Sequence, residues 1–300
     1  MSSNEPAALV DHGADPGLAI ESTGRGPRSP RRGAFARLLG SELRLVFRRR
    51  RNLALLIVLA GPPVLIGIAV KTSAPHGGNG FFGQITGNGL FLVYTALTVS
   101  LPLFLPLAVG VVGGDSIAGE AGAGTLRYLL TIPVGRTRLL VAKALSVLVF
   151  VTAAVVVVAV SGLITGWVLF GIRDLTLLSG DTVSLADGLL RTAALTLYVV
   201  IALTGLVAIA MFISTLTEVP IAAMAATVAA TIIVQVLDAV PQIGSARSWL
   251  FTHNWLGFGE LLRSDVDVRT LIGWSMLQVG YVVIFGSLAW ARFTTKDITS

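Results

Sequence analysis

One glycine-rich stretch, residues 113–138, places a group of ionisable side chains between two of the apolar segments of the chain. It holds two acids followed by three bases: Asp115, Glu120, Arg127, Arg136 and Arg138. Side chains of these types cost about 2.5–3.5 kcal/mol each at the middle of a bilayer. We therefore expect the stretch to lie outside the hydrocarbon, where its charges suit a specific contact with another protein surface.

The same stretch predicts a short helix with one apolar face. Five glycines between residues 113 and 124 disfavour a continuous helix, so the preceding apolar segment is expected to end near Gly113. A new helix is expected to begin at Thr125, whose hydroxyl suits the N-cap, and to end before Pro133. Its apolar face consists of Leu126, Leu129 and Leu130. These leucines either receive a partner or pack beneath the ends of the chain's own helices.

Residues that would carry catalysis or hold a metal are scarce. The three histidines, His12, His76 and His253, lack the spacing of metal ligands, and the chain has no cysteine. No GxxxxGK[ST] stretch occurs, so a phosphate-binding loop is absent, and there is no GxSxG nucleophile motif. The sequence therefore predicts a chain that is not an enzyme and that has no metal or cofactor of its own.

The composition is that of an integral membrane protein. Of the 300 residues, 54% are hydrophobic and 13% are charged, whereas soluble domains are roughly a quarter charged. The net charge of +6 comes without a basic stripe interleaved with aromatic residues, so we expect no nucleic-acid partner. The arginines instead indicate which side of a membrane faces the cytosol.

Six apolar segments are each long enough to cross about 30 Å of hydrocarbon. They cover residues 53–70, 90–112, 144–172, 192–215, 219–240 and 271–291. Gly61-Pro62-Pro63 is expected to kink the first segment. A close-packing face of small residues is expected in the third segment at Ser161, Gly162 and Gly166. The predicted fold is an all-α polytopic membrane protein, with six transmembrane helices in a domain of residues 52–292, an N-terminal amphipathic interfacial helix and a short cytosolic helix within the loop of residues 113–138.

The N-terminal region divides into two parts. Residues 1–32 are rich in Pro, Gly, Ser and Arg and lack an apolar core, which predicts a disordered cytosolic tail. Residues 33–51 place Phe35, Leu39 and Leu43 at helical spacing, with arginines on another face. This pattern predicts a basic amphipathic helix at the inner leaflet, or alternatively a charged flank that holds the first span in place. Residues 293–300 are predicted to form a second short cytosolic tail.

The distribution of Lys and Arg sets the predicted orientation. With the N-terminus inside, the inner segments hold sixteen of these residues, ten of them before residue 52, and the outer segments hold six. We therefore predict a multi-pass protein of the cytoplasmic membrane with both termini in the cytosol. Residues 113–138 then lie on the cytosolic side.

For three further features the sequence allows two interpretations each. Asp238 and Arg191, near the outer ends of two spans, either pair or sit among lipid headgroups. The outer segment 249–262, which includes Trp249, Trp255 and Phe258, is either an anchor in the interfacial aromatic belt or an outer gate for an apolar substrate. The small residues on one face of the fifth span pack either within the chain or against a second subunit; they are Ala222, Ala226 and Ala230.

The stretch GDSIAGEAGAGTLRYLLTIPVGRTRLLVAK, residues 114–143, resembles the signature of type-2 ABC exporter permeases, the membrane subunits of ATP-binding-cassette transporters. In that signature two acidic residues precede Gly-Thr-Leu, a leucine pair, Pro-Val, a basic residue and a downstream lysine. The matching residues are Asp115, Glu120, Gly124, Thr125, Leu126, Leu129, Leu130, Pro133, Val134, Arg136 and Lys143. The position after Glu120, which is usually basic in the family, is Ala121 here. The six-span plan and the amphipathic N-terminal helix extend the resemblance over residues 33–295.

The resemblance implies a partner that supplies energy. The loop of residues 113–138 would contain a coupling helix, with Arg127 among its contacts, that docks into a groove on a separate ATPase subunit. Two such subunits would bind ATP and Mg²⁺, and a second permease half, identical or different, would complete a pore that exports an amphiphilic or lipid-like substrate. Two alternatives stay open, namely an ion-coupled secondary transporter and a non-transporting membrane scaffold.

Overall fold

The computed structural model describes residues 33–73, 85–124, 135–172, 174–176 and 181–295. Residues from Phe35 onward form one compact unit. The predicted tail of residues 1–32 lies outside the described residues, as does most of the predicted tail at 293–300. Within the described parts the fold is helical, apart from an antiparallel two-residue ladder in which Leu175 lies opposite Val183.

The helices are, in chain order, α1 (Ala34–Arg48), α2 (Arg50–Leu59), α3 (Gly61–Ser73), α4 (Leu90–Ser100), α5 (Phe104–Gly122), α6 (Arg136–Phe170), α7 (Leu185–Leu216), α8 (Pro220–Asp238) and α9 (Val268–Thr295). Strands β1 (Leu175–Thr176) and β2 (Thr182–Val183) lie between α6 and α7. Two 3₁₀ segments, Pro241–Trp249 and Trp255–Leu262, join α8 to α9. Successive long helices run in opposite directions, so the last turn of α5 and the first turn of α6 lie at the same end of the bundle. We call this end of the bundle the α5/α6 end.

Six helical stretches are long and apolar enough to cross a membrane, as the sequence predicts. The first is α2 and α3 together (Arg50–Ser73), and the others are α5, α6, α7, α8 and α9. Helix α4 has 11 residues and is too short to span alone, so the second predicted span consists of α4 followed by α5. Helix α6 begins at Arg136, eight residues before the predicted start, and at 35 residues it is longer than a bilayer requires.

The first two predicted spans are each interrupted next to a proline. Helix α2 ends at Leu59 and α3 begins at Gly61, so the first span is interrupted at Ala60, directly before the Gly61-Pro62-Pro63 sequence where a kink is predicted. The second span is interrupted at residues 101–103, around Pro102, and then continues without a break to Gly122. The predicted end near Gly113 is therefore wrong. Proline removes a backbone donor and clashes with the preceding turn, whereas helical glycines cost only about 1 kcal/mol each.

The glycines of α5 serve close helix packing. A Cβ on Gly114 would lie 2.8 Å from the backbone nitrogen of Met224 in α8, and one on Gly113 would lie 2.8 Å from Cβ of Ala210 in α7. Small residues let membrane helices approach this closely, and the contacts offset the intrinsic cost of glycine in a helix. Glycine at these positions therefore holds α5 against α7 and α8 rather than ending it.

The predicted small-residue face of the third span is confirmed. A Cβ on Gly162 would lie 3.1 Å from Cα of Val93 in α4, and Gly166 lies directly against the backbone of Gly89. The hydroxyl of Ser161 donates to the carbonyl of Ala60 across 2.8 Å. This face therefore brings α6 against both α4 and the junction of α2 and α3.

Helix α7 is the most enclosed of the six candidate spans and α9 the least. Phe150, Leu203 and Leu206 are among the fully buried side chains at the centre of the bundle. By contrast, Ile57, Ile221 and other large apolar side chains of the outer helices are exposed. A bundle whose outer face is apolar suits a hydrocarbon environment rather than water.

Helix α8 has two small-residue faces with different surroundings. Ala223, Thr227 and Thr231 are buried and pack inward, whereas Ala222 and Ala226 are exposed. Packing within the chain is therefore carried by the Ala223 face. The face of Ala222 and Ala226 is left uncovered by this chain.

Helix α1 covers most of the predicted segment 33–51. Its Leu38, Val46 and Phe47 pack on the bundle, and the Phe47 ring lies 5.6 Å from the Phe150 ring, measured between centroids. Its arginines at 37, 44 and 48 are exposed. The amphipathic pattern is therefore used in packing, and a position at the membrane interface remains a prediction.

Candidate functional site

Asp115 lies on α5 at the α5/α6 end, buried beneath two arginines. Arg49 Nη1 donates to its Oδ2, and Arg51 Nη2 donates to the same oxygen across 2.8 Å. Arg49 separates α1 from α2 in an extended conformation with φ −67° and ψ 119°. The chain therefore turns from α1 into α2 at a residue whose side chain is fixed by Asp115.

Lys143 on α6 is the most deeply buried charged residue of the described chain, with 2% of its surface exposed. Its ammonium group donates to Glu120 Oε1 on α5 across 2.5 Å and to Glu42 Oε2 on α1 across 3.1 Å. Hydrogen bonds between charged groups are roughly twice as strong as neutral ones. Lys143 thus joins α1, α5 and α6 at one point.

Together these six side chains form a charge-balanced group that we call the ionic cluster. Its members are the acids Glu42, Asp115 and Glu120 and the bases Arg49, Arg51 and Lys143. Breaking a buried ion pair by removing one partner costs about 3–5 kcal/mol, because a charge is left buried without compensation. The cluster therefore fixes the relative positions of the helices that contribute to it.

The ionic cluster is close-packed and does not resemble a binding pocket. The cavity among its side chains has a volume of about 20 Å³. Small-molecule sites occupy roughly 300–1,000 Å³. No group of three or more His, Asp or Glu side chains among the described residues is arranged to hold a metal ion. The arrangement is suited to joining helices rather than to holding a ligand.

The cluster lies at the base of the connection between α5 and α6. Glu120 comes two residues before the end of α5, and Gly124 follows the helix with φ +68°, a left-handed conformation that favours glycine. Arg136 is the first residue of α6, and its Nη1 donates to the carbonyl of Thr294 near the end of α9 across 2.7 Å. The described residues on both sides of the connection are thus held at fixed positions.

The opposite end of the bundle is closed by residues 250–262, which we call the aromatic plug. Phe251, Trp255 and Phe258 are buried, and the Phe258 ring contacts the Tyr94 ring edge-on at 5.3 Å. Tyr198 Oη donates to the carbonyl of Asn254 across 2.6 Å. These aromatic residues therefore belong to the core, and the prediction of an interfacial aromatic belt is wrong for them.

The plug end also has its own small charged group. Asp238 Oδ1 contacts His253 Nδ1 at 2.6 Å and Arg247 Nε at 3.4 Å. Arg191 instead donates to the carbonyls of Leu261 and Arg263 at 2.6 and 2.7 Å. Of the two interpretations given to Asp238 and Arg191, mutual pairing is therefore wrong.

A family model described as a protein of unknown function, DUF2705, matches residues 75–299. The chain belongs to this family. The match includes α4 to α9 and therefore Asp115, Glu120 and Lys143, whereas Glu42, Arg49 and Arg51 precede it. No curated protein matches the chain.

In this DUF2705 protein the predicted site residues fall into two groups. Asp115 and Glu120, expected on a loop, lie instead in a buried part of α5, and Gly124 and Arg136 flank the connection to α6. The remaining residues of the predicted coupling helix lie outside the described residues: Thr125, Leu126, Arg127, Leu129, Leu130 and Pro133. Whether these residues dock a partner stays a prediction.

Four residues of the ionic cluster were not among the predicted site residues of this DUF2705 protein. Glu42 is the one acid in a basic amphipathic segment, and Lys143 is a lone cation in an apolar run. Either feature predicts a buried charge that pairs with a side chain of opposite charge. Arg49 and Arg51 carry no such signal, because they lie within an uninterrupted run of arginines.

Proposed function

We propose that the chain is the permease subunit of an ATP-driven exporter, in which separate ATPase subunits act on the connection between α5 and α6. The observation that carries the proposal is the pairing of Lys143 with both Glu120 and Glu42. This pairing ties the two ends of the connection to each other and to α1. A connection anchored in this way would transmit a displacement to several helices at once.

The path of such a displacement follows the helix contacts. Helix α5 packs against α6, α7 and α8, and α7 packs in turn against α9. Because packed helices move as rigid bodies, a push on the connection would shift α5 and α6 together and tilt the helices behind them. The ionic cluster would act as the joint that keeps α1 and α2 moving with them.

The resemblance to type-2 ABC exporter permeases supports the same assignment from the sequence. Its two acids and its lysine, Asp115, Glu120 and Lys143, are the residues that pair inside the bundle. In this proposal these three residues fix the two ends of the connection in the bundle. The leucines of residues 125–133 make the contact with the ATPase. ATP and Mg²⁺ would be bound by the ATPase subunit, since this chain has no phosphate-binding loop.

A second copy of the permease, or a related chain, would complete the pathway. The exposed small-residue face of α8, with Ala222 and Ala226, suits a close contact between two such subunits. The substrate would cross between the two halves, whose apolar surfaces favour an amphiphilic or lipid-like molecule. In this arrangement both chain termini lie in the cytosol.

An ion-coupled secondary transporter is the rival that the ionic cluster itself suggests, because ionisable residues within membrane helices often mark ion pathways. The equal number of acids and bases and the cavity of about 20 Å³ favour a permanent joint over a site that cycles between ions. Collapse of the proton gradient in vesicles supplied with ATP separates the two functions. Transport that stops under this condition would favour the secondary transporter over the exporter.

The proposal is tested by purifying the full chain from the membranes of its own host and measuring ATP hydrolysis by the complex in proteoliposomes. The variant Leu126→Asp/Leu130→Asp is expected to remain in the membrane and to lose most of the copurifying ATPase activity. Leu256→Asp is the matched control, because Leu256 is an exposed leucine at the plug end. An ATPase activity that is absent from the wild type, or equally present in the double variant, contradicts the proposal.

A further inference from the structure

An apolar groove opens on the outer surface of the bundle between α6, α7 and α9. Its volume is about 300 Å³, at the lower end of the range for ligand sites. It runs from Leu140 and Trp290 near the α5/α6 end towards Thr204 and Val282. No charged residue lines the groove. Apart from Thr204 and the indole of Trp290, every lining residue is apolar.

The lining favours a flexible hydrocarbon chain over a polar ligand. Four small residues form much of the wall and leave a narrow channel: Ala144, Ala208, Gly286 and Ala289. The one hydroxyl, on Thr204, already donates to the carbonyl of Ile201 across 2.7 Å. The groove therefore offers a ligand apolar contact without a free side-chain donor to orient a polar group.

Two exposed arginines lie within two residues of the lining, in the chain, at the end of the groove near the start of α6. Arg138 is exposed and shares a helix face with Val141 and Leu145 of the lining, at spacings of three and seven residues. Arg292 is also exposed and follows the lining residue Trp290 on α9. Trp290 Nε1 donates to Thr137 Oγ1 across 2.9 Å, which holds α6 and α9 together at this point.

We propose that this groove binds one anionic membrane phospholipid, with an acyl chain between α6, α7 and α9 and the phosphate between Arg138 and Arg292. Basic pockets between membrane helices are known to bind lipid headgroups of this charge. This inference requires that the chain spans a membrane, but it does not require that an ATPase subunit binds the chain. A second protein copy is a poorer occupant, because the exposed small-residue face of α8 lies on a helix that does not line the groove.

The acyl part of the proposal is tested by filling the groove. A Cβ on Gly286 meets nothing within 4 Å, and the same is true of Gly280 on the same helix, which does not line the groove. Full-length Gly286→Leu and Gly280→Leu variants are purified in detergent and titrated with phosphatidylglycerol, and bound lipid is counted by native mass spectrometry. We expect Gly286→Leu to weaken binding at least tenfold and Gly280→Leu to bind as the wild type does. Equal binding by Gly286→Leu and the wild type would overturn the proposal.

The headgroup part is tested by comparing phosphatidylglycerol with phosphatidylcholine of the same chain length. Each arginine near a membrane surface contributes about fivefold to the affinity for an anionic lipid. Arg138→Gln/Arg292→Gln is therefore expected to remove most of the preference for phosphatidylglycerol. Arg263→Gln/Arg269→Gln, a pair of exposed arginines at the other end, is the charge-matched control and is expected to keep it. Equal retention of the two lipids by the wild type, or a groove variant that changes subunit association instead of lipid binding, overturns the assignment.

Discussion

Lys143 and Glu120 form an ion pair of 2.5 Å that joins α6 to the last turns of α5. Only 2% of the lysine and 7% of the glutamate are exposed, so the pair is shielded from solvent by the surrounding helices. Glu120 precedes the connection between α5 and α6 in the chain and Lys143 follows it, so the pair joins the two ends of this connection. The same lysine also reaches Glu42 on α1.

Removal of the lysine charge is expected to destabilise the whole bundle. Lys143→Met keeps the side-chain volume but leaves Glu42 and Glu120 buried without their shared cation, at a cost of about 3–5 kcal/mol. The midpoint of thermal unfolding in detergent is therefore expected to fall clearly. Arg44→Met, at an exposed cation of α1, is the control and is expected to change the stability by no more than about 0.5 kcal/mol.

A charge rescue distinguishes the ion pairs from simple packing. The triple variant Lys143→Met/Glu42→Gln/Glu120→Gln removes both carboxylates together with the cation, so it is expected to recover part of the lost stability. If Lys143→Met unfolds at the wild-type temperature, or if the triple variant is less stable than the single one, the ionic cluster does not join these helices.

The glycines of α5 are expected to tolerate no side chain where they touch α8. Gly114→Ala would place a Cβ 2.8 Å from the Met224 backbone nitrogen, so the helices must separate, which typically costs about 1–3 kcal/mol. Gly61→Ala is the control, because its Cβ would meet nothing within 4 Å. Circular dichroism during heating measures both variants, and equal stability of the two would show that α5 and α8 are not in close contact.

The aromatic plug is expected to behave as core. Phe258 is fully buried, so Phe258→Ala should cost about 3–5 kcal/mol of stability. Trp249 is 74% exposed, and Trp249→Ala is expected to leave the unfolding midpoint in detergent almost unchanged. A larger loss of stability in Trp249→Ala than in Phe258→Ala would indicate that segment 249–262 is an interfacial anchor rather than part of the core.

The exposed face of α8 is expected to meet a second subunit. The chain has no cysteine, so a single introduced thiol reports on its own surroundings. Ala226→Cys in native membranes is expected to form a disulfide-linked dimer on mild oxidation, whereas Ala223→Cys, on the buried face, is expected to stay monomeric. An Ala226→Cys chain that never crosslinks while Ala223→Cys does would place the contact elsewhere or exclude it.

Much of the helical plan could be predicted from the sequence because length and apolarity decide it. Four of the six predicted spans correspond to single helices in the structure, and the first is interrupted only at Ala60, directly before Gly61-Pro62-Pro63. The break in the second span was misplaced because glycine propensity is a weak local signal. The contact of Gly114 with Met224 in α8 outweighs it, and that contact joins residues 110 positions apart in the chain.

The candidate site was harder to predict for the same reason. Asp115 and Glu120 are charged residues next to apolar runs, and because charges are costly inside a bilayer the sequence alone favours a loop outside it for both. Their partners come from two other parts of the chain, with Glu42 and Arg49 in or next to α1 and Lys143 in α6, and only the packing of α1, α5 and α6 brings them together. The spacing of residues within one segment contains no information about such pairs.

The central claim is that the connection between α5 and α6 contacts an ATPase subunit. The most direct measurement is site-specific photocrosslinking in native membranes, with the crosslinking amino acid at Leu130 and, as a control, at Leu256 at the plug end. The account predicts that the Leu130 product contains a nucleotide-binding protein identified by mass spectrometry and that the Leu256 product does not. A Leu130 product formed only with lipid or with the chain itself would contradict the account.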